Sequence, residues 1–186
     1  MSEKVEAVKI VYPHFDLNIA SRTALRDAKN TNNKYERFHY LMTSMLFCSF
    51  TIEAYVNHVG NTKIKYWSSI KKNIGSEEKI EILASIYNYK LEKGKRPFQT
   101  LKSIIQFRNL MVHAQSEMVT EHTDMHNPIT PLAKWEKKVT QKNAEDFSTD
   151  TELMLRKIQE FSGMIIDPIQ AGSATTFGAI RKTKAT

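Results

Sequence analysis

KYERFHYLMTSMLFCSFTIEAYVNH, residues 34–58, is the stretch on which the fold turns. Leu41, Met45, Cys48, Ile52, Tyr55 and Val59 follow one another in alternating steps of four and three, which places them along one stripe of a helix. Tyr40 to Val56 is the most apolar part of the chain, yet Thr43, Ser44, Ser49, Thr51 and Glu53 interrupt it. A membrane span needs about 20 largely apolar residues in succession, so this is a core helix, from Lys34 to about His58, with Gly60-Asn61 as its terminator.

Working outward, the same period recurs on both sides. A first helix is expected from near Leu17 to Lys29, ended by Asn30-Thr31-Asn32-Asn33, whose short amides compete for backbone hydrogen bonds. A third starts after Asn73-Ile74-Gly75, with Ser76 as cap and Glu77 and Glu78 in its first turn, and runs to about Tyr89. Pro97 suits the first position of a fourth, which reaches about His113. Residues 116–142 contain Pro128 and Pro131 and no sustained period, so a long irregular excursion is expected there, with room for a short hairpin.

A fifth helix is expected from Ser148 to Asp150 onward, where Thr149 and Glu152 have capping-box spacing. Met154, Leu155, Ile158, Phe161 and Ile165 form its apolar face, and Pro168 lies beyond its end. The body is thus an all-α bundle of four to five helices. It divides into an N-terminal arm over 1–16, a helical domain over 17–166 and a mobile basic tail over 167–186.

Composition agrees with one globular domain. The chain has 186 residues, 41% hydrophobic and 25% charged, enough for a core without disulfides or metal clips. Its one cysteine, Cys48, sits among Met45, Leu46, Phe47 and Phe50, as a buried thiol in a reducing compartment would. Charge is scattered through the first ten residues, where an export signal has an uninterrupted apolar run, so a cytoplasmic location and no membrane association are expected. A net charge of +7 makes an acidic partner plausible, RNA or DNA first.

One helix breaks its own pattern. In the fourth, Phe98, Leu101, Ile105 and Val112 lie on a four-three stripe whose missing member is Arg108. A guanidinium on such a stripe must meet a carboxylate, a phosphate or a subunit boundary. Leu46, Phe50, Glu53 and Asn57 form a second stripe, on the long helix, that turns polar, and Glu53 and Asn57 are the expected partners that orient Arg108. Asn109 follows Arg108 and shares a face with His113, whereas His113 is about 140° around the helix from Arg108. Convergence of Arg108 and His113 on one phosphate therefore calls for arginine's reach, a loosened last turn, or a second copy of the helix.

The run Phe107-Arg-Asn-Leu-Met-Val-His113 resembles the signature of HEPN domains, in which Arg, a polar residue, three more residues and His close a core helix. The helix carrying Phe50-Thr-Ile-Glu53-Ala-Tyr-Val-Asn57 is similar to that family's second helix, and the likeness covers roughly residues 17–166. The resemblance implies an up-and-down bundle that forms a homodimer, and often a metal-independent endoribonuclease of a toxin or antiviral defence system, with an antitoxin or regulatory protein as partner. It also implies that Arg108, Asn109 and His113 are catalytic, with Glu53 and Asn57 in support. The alternative is a non-catalytic HEPN module that binds RNA or a partner protein.

The chemistry fits those residue types. Cleavage through the 2′-hydroxyl needs a base, an acid and positive charge on the phosphate, and two histidines related by a twofold axis supply the first two. Arginine's planar fork supplies the third. Toxins neutralised by a nucleotidyltransferase antitoxin often carry tyrosine two residues after the histidine; here that residue is Gln115, so neutralisation by modification at that place is not expected.

No cofactor and no metal are expected. His122 and His126, with Glu121 and Asp124, share no helical face and read as a solvated loop. Trp135 and Tyr66-Trp67 read as packing, and His14, His39 and His58 have no partner at a defensible spacing.

Overall fold

The computed structural model describes residues 5–6, 11–122, 130–170 and 181–182. The body is all-helical: α1 (Pro13–Asn30), α2 (Lys34–Lys63), α3 (Trp67–Ile70), α4 (Ser76–Ile86), α5 (Phe98–Val112) and α6 (Gln141–Ser162). One turn of 3-10 helix, Glu136–Lys138, precedes α6, and two-residue strands β1 (Val5–Glu6) and β2 (Arg181–Lys182) pair antiparallel. None of the described helices is long and apolar enough to cross a membrane.

The long helix is the axis of the core, since α2 touches all five other helices. All six residues of its expected stripe are buried, as are Ser44, Thr51 and Val56, because neighbours cover it on several sides. Its most extensive contact is with α1, whose buried face runs from His14, Phe15 and Asn18 to the small residues Ser21, Ala24 and Ala28. There the Ser21 hydroxyl donates to the Ser44 carbonyl at 3.0 Å and lies 3.2 Å from Cys48 Sγ. Burial pushes the Cys48 thiol up to about 11, so it stays protonated and unreactive.

Element ends moved where tertiary packing outweighed local signals. Pro13 stands in the first turn of α1, so residues 13–16 belong to the body rather than to an arm. Gly60-Asn61 does not end α2, which continues to Lys63. Gly60 instead seats the Trp67 indole: a Cβ there would lie 2.1 Å from the ring. Asn33 does cap α2, accepting from the Tyr35 and Glu36 amides. At α4 the cap is Gly75, with Ser76 the first helical residue, and the helix stops at Ile86, short of Tyr89.

The largest shift is in α6, which starts at Gln141 with the Thr140 hydroxyl capping the Asn143 amide at 3.2 Å. Thr149 and Glu152 are therefore interior residues. The two turns before them looked like loop because their buried stripe runs Ala144, Phe147, Asp150, Met154 and so passes through a carboxylate. Asp150 is fully buried and accepts from Arg96 Nε, at 2.8 Å to one oxygen, and from the Thr100 hydroxyl. At the other end Gly163 closes the helix with φ 62°, in the left-handed region open to glycine, so Ile165 lies past the helix and 97% exposed.

The excursion over 116–142 shows no strand among its described residues; 123–129, with His126, lie outside them. Residues 167–170 are packed rather than tail: Asp167 accepts from the Ile169 and Gln170 amides, and Pro168 and Ile169 are buried. The rest of the basic tail lies outside the described residues except for β2.

Candidate functional site

The last two turns of α5 carry the Arg108-to-His113 motif out of the bundle. The buried stripe of α5 is Phe98, Leu101, Ile104 and Phe107, which follows the expected one to Leu101 and then runs one position before it, so Ile105 and Arg108 are only half-buried and Val112 is 53% exposed. Arg108 is therefore at the rim of the core and not within it. Three-residue steps from Leu101 to Phe107 rotate the buried line around the helix, away from Ile105 and Arg108.

Neither expected partner bonds to Arg108. Glu53 receives Lys79 Nζ at 2.9 Å, and the Asn57 side-chain oxygen receives the Trp67 indole N–H at 3.3 Å. Each has a nearer demand to satisfy: Lys79 is 2% exposed and needs a counter-charge, and a buried indole needs an acceptor. Arg108 Nη1 donates instead to the Asn109 side-chain oxygen at 3.0 Å. Among the described residues no carboxylate lies within ion-pair distance of its guanidinium.

The three nonetheless share a space. Glu53, Asn57 and Arg108 line one cavity of about 550 Å³, together with Lys71, Lys72 and Lys79. Its floor is aliphatic, from Ile52, Leu101 and Ile104. Four cationic side chains against one carboxylate give it an anion's environment. The lysines were missed in the sequence; Lys79 had a legible signal, since it stands four residues before Leu83 on a stripe that is otherwise apolar.

His113 is the C-terminal cap of α5, its backbone N–H donating to the Asn109 carbonyl at 3.0 Å, and it is exposed. It borders a different cavity, of about 650 Å³, with Leu110, Trp135 and Lys138. Asn109 lines both cavities. Within one chain, then, Arg108 and His113 stand on either side of Asn109, as their angular separation on a helix requires. Leu110 and Val112 are exposed beside them, 40% and 53%.

A second polar cluster joins α1 to α2, where sequence spacing showed nothing. His14 is buried, stacks on His58 at 5.4 Å and meets Tyr55 edge-on at 5.0 Å. Burial, and then the neighbouring His58, push His14 down to about 4, and burial also lowers His58. His122 is exposed, Trp67 is fully buried and Tyr66 is exposed. No family model, curated protein or solved structure matches this chain.

Proposed function

We propose that this protein is a metal-independent endoribonuclease of HEPN type, acting as a homodimer within a toxin or antiviral defence system in the cytoplasm. The observation that carries the reading is the placement of Arg108 and His113: both stand at the outer end of one helix, and no carboxylate engages the guanidinium among the described residues. The exposed Leu110, beside His113, offers an apolar contact to the same helix of a second copy. Across a twofold axis, the Arg108 of one protomer then stands beside the His113 of the other.

In that arrangement the neutral imidazole of one His113 takes the 2′-hydroxyl proton. The 2′-oxygen attacks phosphorus, and the bond from phosphorus to the 5′-oxygen breaks. The second, protonated His113 gives its proton to that leaving oxygen. Products are a 2′,3′-cyclic phosphate and a 5′-hydroxyl. Arg108 holds two non-bridging oxygens and stabilises the charge that grows on them, while the Asn109 amide, bonded to Arg108, fixes the fork.

The test is cleavage of a labelled structured RNA in EDTA by wild type, His113→Ala and Arg108→Ala, with a matching DNA as control. The expected result is RNA-only cleavage to cyclic phosphate ends, lost in both variants while they stay folded. Cleavage that persists in His113→Ala overturns the mechanism. A second reading, a non-catalytic module that binds RNA or a partner protein, draws on the separation of Arg108 and His113 into two cavities of one chain. RNA binding without turnover, across several RNAs, favours it.

A further inference from the structure

The cavity beside His113 differs in chemistry from the one beside Arg108. The Arg108 side is ringed by lysines over an aliphatic floor; the His113 side has an indole in its wall. Trp135 is half-buried, held on the body by Phe38 at a centroid distance of 6.0 Å, and still borders the cavity. Lys134 and Lys138 flank it, and among the described residues neither is in an ion pair, whereas Lys137 between them is tied to Glu121 at 3.5 Å. Gln106 and Gln115 bring amide donors and acceptors to the same wall, and Glu117 sets one carboxylate against the two lysines.

We propose that this cavity is a nucleobase subsite, in which the base of the nucleotide next to the cleaved phosphate stacks on the Trp135 ring while Lys134 and Lys138 hold a flanking phosphate. Its volume of about 650 Å³ is in the range of small-molecule sites. A positively charged groove with an aromatic platform is how single-stranded nucleic acid is commonly held. A packed tryptophan loses little freedom when a base lands on it, because its ring is already fixed. Glutamine amides carry both a donor and an acceptor and can hydrogen-bond to a base edge. The position next to the cleaved phosphate rests on the ribonuclease reading above; the binding of a base does not.

The experiment is calorimetric titration of the full chain with adenosine 5′-monophosphate, using ribose 5-phosphate as the base-free control. The nucleotide is expected to bind at least about tenfold more tightly than the sugar phosphate. Trp135→Leu is expected to weaken the nucleotide about tenfold and leave the sugar phosphate unchanged, whereas Trp135→Phe, which keeps a ring, stays within about threefold of wild type. Equal binding of the two ligands, no nucleotide binding, or a Trp135→Phe chain that loses the nucleotide as fully as Trp135→Leu overturns the subsite. The wild-type comparison needs no variant to fold. Nucleotide binding without RNA cleavage defeats the ribonuclease reading alone; cleavage without base-dependent binding defeats the subsite alone.

Discussion

Arg96 and Arg108 bracket the same helix, and they are treated in opposite ways. Just before α5, Arg96 donates to both oxygens of the buried Asp150 at 3.0 and 2.8 Å and reaches Asp146 at 3.0 Å, clamping α5 to α6. Near its other end, Arg108 has one side-chain bond among the described residues, to the amide next to it. An arginine whose donors are met by carboxylates closes a seam. One that meets no carboxylate among the described residues, on a cavity rich in lysine, is suited to receive an anion. The difference teaches that pairing, more than burial, separates the scaffold half of this helix from its candidate working half.

That contrast can be broken most sharply at its working end. His113→Ala is expected to lower RNA cleavage by about 10²- to 10⁴-fold. Its unfolding midpoint in urea should stay at the wild-type value, because an exposed cap residue with no side-chain partner among the described residues holds nothing together. A parallel loss of stability would place His113 in the scaffold. One turn into the core, Phe107 is fully buried and meets Phe147 edge-on, so Phe107→Ala should lose about 3–5 kcal/mol by urea unfolding.

The α1–α2 seam gives a pH-dependent form of the same contrast. An unfolded histidine takes a proton near pH 6.5, but His14 in the fold does so only near 4, so the unfolded chain binds more protons between those values. Stability contributed by His14 is full above pH 6.5 and is lost as pH falls toward 4, by about 3 kcal/mol once both forms are protonated. His14→Leu should flatten that part of the curve of unfolding free energy against pH. The smallest effect concerns the glycine within α2: Gly60→Ala pushes a methyl into the Trp67 ring and should cost about 2 kcal/mol without changing the helix content seen by circular dichroism. A loss of helix there would return Gly60 to the role of terminator.

Legibility followed the range of the interaction. The α2 stripe from Leu41 to Val59 could be read because burial against any neighbour requires the same four-three spacing. The start of α6 could not, because Asp150 looks like a loop residue until Arg96, 54 positions earlier, is known to sit on it. The motif residues Arg108, Asn109 and His113 were legible as a group on one helix, since their spacing is local. Their partners were not: Glu53 was assigned to Arg108 and belongs to Lys79, 26 residues away.

Helical class, the central helix and the grouping of the motif residues at the end of α5 thus follow from periods of three and four residues, which short-range backbone geometry sets without reference to the rest of the chain. Which carboxylate meets which cation, which glycine seats an indole and which cavity each motif residue borders depend on how helices far apart in sequence come to lie together. Buried charges and close contacts are satisfied by whatever group packing delivers, and no spacing along the chain encodes that choice.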